Sequence, residues 1–460
     1  MMWPRIINAN WIVGTWGLQN MKTNIIYSFF EKLRGTEILK IYEHLKKTEK
    51  YTREQLDKYQ FEKLHKLLLH VKDNVPFYID YFKKNNLSIH DFKSLNDINL
   101  LPVIEKKTMR EMFKSGEIIS KNKDTFNPIP NQTGGSTGIP LQLLIGGQAR
   151  NFQGAAVLRY YDWMGGYCLG DQKFAVLWGD MRVKSLKERL SDELKMVLTK
   201  RRAYSCFAMD KALIASHHKK LLRFDPEFLR GYAFAVYLLA QFQRENSVNS
   251  KLSFKAVSTT TEKITMKQRQ VIEEEFGCKT FDQYGCGEIL MIAGECAAHD
   301  GMHVTEEHVI VETNENNEFI ITDLDNYAMP FLRYKNGDMG EVSDEPCQCG
   351  MAHKRIKNLT GRVDDTIILK NGKVINSSFF AVLFEYMENV SAFQVYYYNS
   401  KKMDINIVPD VGFDTGDEKY IRDKVLMAFG QNQAFTLNFV NEINQAKNGK
   451  TKFVNICKAS

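Results

Sequence analysis

An α/β protein in two parts, a large layered N-terminal domain with a helical leader and a small mixed α+β C-terminal domain, is predicted by three features of the sequence. The chain opens with a long helical stretch, alternates short apolar runs with helical segments through its middle, and closes with a compact β-β-α-β run. Its 460 residues exceed what one ordinary core supports, so more than one folding unit is expected.

Each part follows from local pattern. Residues from about 23 to 120 read as helical: the stretch "YTREQLDKYQFEKLHKLLLHVKDNVPFYIDYFKK" repeats apolar side chains at three- and four-residue spacing and holds proline only at Pro76. This leader of the large domain spans residues 1–120, and nothing in it suggests chemistry. Through the core, residues 121–363, strand-like "KFAVLWG", "KAVSTT" and "EFIITDL" alternate with helical "TMKQRQVIEEEFG". After "GRVDD" the character changes to "AFQVYYYN", "KMDINIVPD", the helical "DEKYIRDKVLMAFG" and "AFTLNFV". A separate mobile domain over 364–460 is expected, with its boundary near Asp364.

Composition excludes several classes. The 62 Lys and Arg against 55 Asp and Glu leave +7, but the basic residues interleave with acids, as in "RVKSLKERLSDELK". That pattern is a solvated helix face, and no nucleic-acid partner is expected. Eight cysteines over this length do not make a disulfide scaffold, which places the protein in a reducing cytoplasm. No apolar run reaches the ~20 residues of a membrane span. Trp3, Trp11 and Trp16 would suit an interfacial anchor, so any membrane association is at most peripheral; alternatively Met21 is a natural start and the preceding residues are incidental. The oligomeric state is left open, a homodimer being one option.

The stretch "NQTGGSTGIPL" clusters Gly134, Gly135 and Gly138 with Thr133, Ser136 and Thr137. Glycines allow close approach, successive N–H groups form a concave anion site, and the hydroxyls add donors to phosphate oxygens. A plain glycine-rich surface turn is the competing reading. The loop is not a P-loop, since Ile139 and Pro140 follow Gly138; Gly449-Lys450-Thr451 imitates that ending but has Asn444 where the first glycine belongs.

Four further stretches follow in order: "YGCGE" at 284–288, "RYKNGD" at 333–338, "GRVDD" at 361–365 and "NGK" at 448–450. With the glycine loop they resemble the adenylate-forming superfamily, and more closely its phenylacetate–CoA ligase-like family and capsular-polysaccharide-biosynthesis branch. The resemblance spans nearly the whole chain, from "VKDNVPFYIDYF" and "LPVIEKKTMREMF" to "NGKTKFV".

The resemblance implies ATP as a substrate, held by Thr133, Gly134, Gly135, Ser136, Thr137, Gly138, Tyr284, Gly285, Asp338, Arg362 and Lys450, with Thr137, Glu288 and Lys450 catalytic. Glu288 would help hold the Mg²⁺ that bridges the phosphates, its hard carboxylate oxygens suiting that ion; capping a following helix is the alternative. Tyr284 would line the nucleotide or acyl pocket, or be a core tyrosine. Asp338 would grip the ribose hydroxyls, or be a turn aspartate after Gly337. Arg362 offers a planar fork to phosphate or ribose oxygens, and Asp364 is the hinge of the small domain. Lys450 would neutralise the charge that builds as a carboxylate displaces pyrophosphate, with Lys447 and Lys452 as neighbouring rivals. "STTTEKI" departs from the family's glycine-rich turn, leaving Thr260 and Glu262 as weaker acyl-pocket candidates.

Cys296 and His303 in "GECAAHDGMHV", with Cys347 and Cys349 in "EPCQCGMAH", supply the ligand types of a structural Zn²⁺, though not at C-x2-C spacing. His299 is an alternative fourth ligand, and reduced thiols without metal are the competing reading. The resemblance implies a ligase that makes an acyl-adenylate from a small carboxylate and ATP and then passes the acyl group to an acceptor, CoA being the family's default. A sugar or carrier amine as acceptor is the alternative, and a non-catalytic nucleotide-binding scaffold the second.

Overall fold

The computed structural model describes residue 31 and residues 35–460, apart from 134–140, 168–170, 180–198, 207–208, 210, 247–249, 262–263, 361–365, 370–372, 377, 386, 388, 400, 442, 444–453 and 458–460. The architecture is mixed α/β, with one large sheet and a C-terminal domain.

The leader is helical, as expected. Helix Arg53–Asn74 starts at a capping box, the Thr52 hydroxyl accepting from the Gln55 N–H while the Gln55 side chain reaches back, and it ends where Pro76 opens helix Pro76–Lys84. Its inward face carries Leu56, Gln60, Lys63, Leu64, Leu67, Leu68 and Val71 at three- and four-residue spacing. Two of those seven are polar, and both find partners in the sheet domain. A short strand unforeseen in the sequence, Ile104–Glu105, pairs in parallel with Tyr334 and Lys335, so the leader is stitched into the sheet before helix Lys106–Ser115 begins.

Twelve strands form the main sheet, and eleven run in one spatial path: Val309–Thr313, Glu318–Asp323, Tyr334–Ser343, Arg355–Thr360, Met302–Val304, Ala293–Glu295, Lys279–Tyr284, Ala256–Thr260, Phe228–Tyr232, Phe174–Trp178 and Arg201–Ser205. The last five are parallel, with helices Lys211–Phe224, Ala233–Glu245 and Met266–Phe276 in the crossovers. The rest are antiparallel to their neighbours on this path. The change falls at strand Lys279–Tyr284. Helix Gly147–Trp163 covers one face of the parallel half, burying Tyr160, Tyr161 and Met164 with Phe174, Phe228 and Phe281. Tyr160, Tyr161 and Tyr167 are therefore core.

The C-terminal domain has its own core, including Phe379, Phe380, Phe384, Phe393, Ile405, Ile407, Ile421 and Val425. The four elements read from the sequence are present as strands Val390–Asn399 and Lys402–Pro409, helix Thr415–Phe429 and strand Thr436–Phe439. The structure adds a hairpin of Thr366–Ile368 with Val374–Asn376, helix Ser378–Glu385 and a last strand, Val454–Ile456, pairing in parallel with Val395–Tyr397. Among the described residues no helix is long and apolar enough to cross a membrane.

Candidate active site

Strands Ile129–Gln132 and Gln142–Ile145 form a hairpin with the glycine-rich loop at its tip. Thr133 closes the neck: its N–H donates to the Leu141 carbonyl at 3.0 Å, and its hydroxyl accepts from the Leu141 N–H at 3.1 Å. Gly134, Gly135, Ser136, Thr137 and Gly138 lie outside the described residues, as do Glu262, Arg362, Asp364, Lys447, Lys450 and Lys452.

The neck abuts the second motif. Asn131 donates from Nδ2 to the carbonyl of Gly287, 156 residues away in sequence, at 3.3 Å. A Cβ on Gly287 would stand 3.3 Å from Thr133 Cγ2, so the two segments touch through a glycine. Gly285 has a different reason to be glycine, because a Cβ there would fall 1.5 Å from the Leu290 carbonyl oxygen. That turn closes as the Leu290 N–H donates to the Cys286 carbonyl at 2.7 Å. Residues 287–289 form a turn, so Glu288 caps no helix; it is carried inward and is 4 % exposed.

Strand Tyr334–Ser343 brings the third motif to the same place. Residues two apart on a strand share a face, and Tyr334, Asn336 and Asp338 all reach the 284–288 turn. The Tyr334 hydroxyl donates to Glu288 Oε1 at 2.8 Å. Asn336 Nδ2 donates to the Tyr284 hydroxyl at 2.7 Å and to Asp338 Oδ2 at 2.9 Å, and the Tyr284 hydroxyl donates to Asp338 Oδ2 at 3.0 Å. Tyr284 is thus a core tyrosine whose hydroxyl orients the predicted ribose-binding acid. Asp338 lies within a strand, just after Gly337 at φ +90°, where the pairing register shifts.

Burial alone would raise the Glu288 carboxyl, yet Lys106 Nζ at 3.1 Å from Oε1 and the Tyr334 hydroxyl hold it below the usual carboxylate range. Burial, then the Asp338 charge, pushes the Tyr284 phenol well above its ordinary value. Lys106 corrects the expectation that the leader carries no chemistry, since strand Ile104–Glu105 delivers it to the site. A carboxylate fits Mg²⁺, and here it already carries a cationic partner. Thr260, at the end of its strand, is 7 % exposed, and Thr261 follows at φ +76°.

Cys296, His303, Cys347 and Cys349 place their ligand atoms within 4.8 Å of one another, though residues 296 and 349 are far apart in sequence. Cys296 Sγ is 3.8 Å from Cys347 Sγ, and Cys349 Sγ 3.2 Å from His303 Nε2. Three thiols and an imidazole are the donor set of a structural Zn²⁺. His299 stands outside the group: its Nδ1 lies 3.4 Å from both Glu295 and Arg269, its ring against Phe281, which removes it as the alternative ligand.

A buried polar network joins the leader to the sheet and went unread in the sequence. Arg159 donates to both oxygens of Glu307 at 2.6 and 3.0 Å, with His353 at 2.9 Å and the Thr48 hydroxyl also on Glu307. His308, Asp323 and Asp325 converge too, but Lys63 Nζ lies 2.6 Å from Asp325 and 3.8 Å from the Phe152 ring centre. A protein cation already balances that group. Glu307 draws its partners from segments 46 to 259 residues away in sequence.

The large α/β sheet, with three motif segments meeting at the carboxyl end of strand Lys279–Tyr284, has the fold of adenylate-forming CoA ligases. A structure of 2-hydroxyisobutyryl-CoA ligase in complex with 2-HIB-AMP and CoA aligns over 88% of this chain and 92% of its own, with TM-score 0.55 and 17% identity. By sequence the chain is homologous to Protein CapK of Staphylococcus aureus and to phenylacetate-coenzyme A ligases. Identity to CapK is 26% over 95% of this chain and 96% of that protein; to the ligase of Thermus thermophilus it is 24% over 75% and 78%. A domain model described as the CapK C-terminal domain matches residues 367–456.

Proposed function

We propose that the protein activates a carboxylic acid as its acyl-adenylate. A carboxylate oxygen bonds to the α-phosphorus of ATP, the bond to the β-phosphate oxygen breaks, and pyrophosphate leaves with that electron pair. The observation that carries this reading is the meeting of Thr133, Gly287, Glu288, Tyr284 and Asp338 from three remote segments. Tyr284 and Asn336 fix Asp338 to accept from ribose hydroxyls. Glu288, Lys106 and Tyr334 form the charged wall beside the glycine loop. Magnesium, held through Glu288, would neutralise phosphate charge. Residues 134–138 would donate N–H and hydroxyl groups to phosphates, Arg362 would contact the nucleotide, and Lys450 would face the reacting oxygens after rotation of the C-terminal domain about Asp364. Zinc held by Cys296, His303, Cys347 and Cys349 would pin two distant loops together.

CoA is the acceptor that the named relatives favour. A sugar or carrier amine is the second reading, which rests on the resemblance of the motifs to the capsular-polysaccharide-biosynthesis branch. The test is exchange of labelled pyrophosphate into ATP across a panel of carboxylic acids. Exchange that depends on an acid and vanishes in Lys450→Ala, with ATP binding retained within a few-fold, supports the reading. Absence of exchange with every acid would leave a non-catalytic nucleotide-binding scaffold, and unchanged exchange in Lys450→Ala would remove that residue's role.

A further inference from the structure

Among the described residues, two guanidinium groups in the parallel half of the sheet have no carboxylate partner. Arg230, in mid-strand of Phe228–Tyr232, is 7 % exposed. Its Nη1 donates to the Tyr161 hydroxyl at 3.3 Å, its Cζ lies 5.0 Å from the Trp178 ring centre, and its Nε is buried with no hydrogen-bond partner. Arg201 lies on the same face, because Phe174 pairs in parallel with both Arg201 and Phe228, and Arg230 follows Phe228 by two. Its Cζ is 4.8 Å from the Phe174 ring centre, and its Nη1 is buried without a partner. Burial holds the Arg201 guanidinium below its ordinary range. Among the described residues, no Asp or Glu forms an ion pair with either arginine.

A buried cation without a counter-charge costs several kcal/mol, whereas a guanidinium facing a bound anion recovers that cost through charge-assisted, bidentate hydrogen bonds. Ring contacts alone recover only part of that cost. The location suits a ligand. Trp178 and Tyr232 end adjacent parallel strands with rings 4.9 Å apart, on the carboxyl edge where open α/β sheets take ligands. Tyr284 ends a strand two places along from Phe228–Tyr232, about 10 Å away at about 4.8 Å per strand.

We propose that Arg230, assisted by Arg201, binds a second anionic group on the acyl substrate, so that the acid activated is a dicarboxylate or another acid bearing a remote anion. This rests on the ligase reading. The anion takes no part in the bond changes; it sets which acid is held.

The test compares pyrophosphate exchange for succinate, glutarate, adipate and suberate with that for the monocarboxylates of equal length, in the full chain. Exchange needs no CoA, so a preference seen there cannot come from CoA phosphates. The best dicarboxylate should exceed its monocarboxylate in kcat/KM by roughly tenfold to a hundredfold. Arg230→Gln should erase that ratio, and Arg230→Lys should keep part of it. Equal or better exchange of the monocarboxylates by the unaltered protein overturns the proposal, as does a ratio that survives in Arg230→Gln; if that variant does not fold, the comparison on the unaltered protein decides. If neither series exchanges, calorimetric titration judges the anion site separately from the ligase reading, which the wider acid panel decides. Tighter binding of glutarate than valerate, lost in Arg230→Gln, then supports it, and indistinguishable titrations overturn it.

Discussion

Replacing Lys106 by methionine removes the ammonium 3.1 Å from Glu288, in a pair whose side chains are 13% and 5% exposed. Breaking a buried ion pair by deleting one partner costs about 3–5 kcal/mol, chiefly because the other charge stays buried. The Tyr334 hydroxyl still donates to Glu288 at 2.8 Å, so the low end, about 3 kcal/mol, is expected at neutral pH. The pH dependence follows from Glu288. In the unaltered protein Lys106 and Tyr334 hold its pKa below 4.5 against the opposing effect of burial, so its contribution is present above that value and is lost as pH falls through the folded-state value. In Lys106→Met, burial acts without the ammonium and the carboxyl protonates more readily. The penalty is therefore smaller near pH 4 than at neutral pH. Urea unfolding of the unaltered protein, Lys106→Met and Lys106→Met/Glu288→Gln at both pH values measures it, and the double variant should be more stable than the single one at neutral pH. A penalty equal at the two pH values, or a double variant no better than the single, refutes the reasoning.

Three other perturbations test separate parts of the molecule. Cys347→Ser should lower bound zinc from near one equivalent to below about a tenth in protein purified without chelator, measured by elemental analysis; an unaltered protein without zinc would remove the metal site. Arg159→Met should cost about 3–5 kcal/mol in chemical denaturation by leaving Glu307 unpaired, and a loss under about 1 kcal/mol would show that His353 and Thr48 suffice. Burial, then Glu295, raises the Asp282 carboxyl to about 7, so its favourable contribution is complete below 3.8 and declines as pH rises through about 7. Asp282→Asn should accordingly gain on the unaltered protein by about 2–3 kcal/mol between pH 5 and 8, read from Tm against pH; parallel curves would contradict this.

Helix Arg53–Asn74 and strands Phe174–Trp178, Ala256–Thr260 and Glu318–Asp323 were legible because their signal is local, an apolar period with a cap or turn residue at each end. Strands Ile104–Glu105 and Val454–Ile456 were not, since two or three residues carry no period and their pairing is with distant segments. The same division runs through the site. Tyr284, Glu288 and Asp338 stood out through their motifs, whereas Lys106, Tyr334 and Asn336 act on them and carry no mark of their own. Cys296, His303, Cys347 and Cys349 showed as ligand types, but only the pairing of Met302 and His303 with Ile356 and Arg355 selects His303 over His299.

By itself the sequence determined that the chain is a two-part α/β protein and which residue types could meet a nucleotide or a metal. Period, turn chemistry and motif order are properties of neighbouring residues and survive without coordinates. Only the tertiary structure decided which charges are paired. It set Lys106 against Glu288 and Arg159 against Glu307, and left Arg201 and Arg230 without a carboxylate among the described residues. The reason is physical: the cost of a buried charge depends on what lies within a few ångströms, and folding brings those neighbours together from segments as far apart as the 262 residues between Lys63 and Asp325.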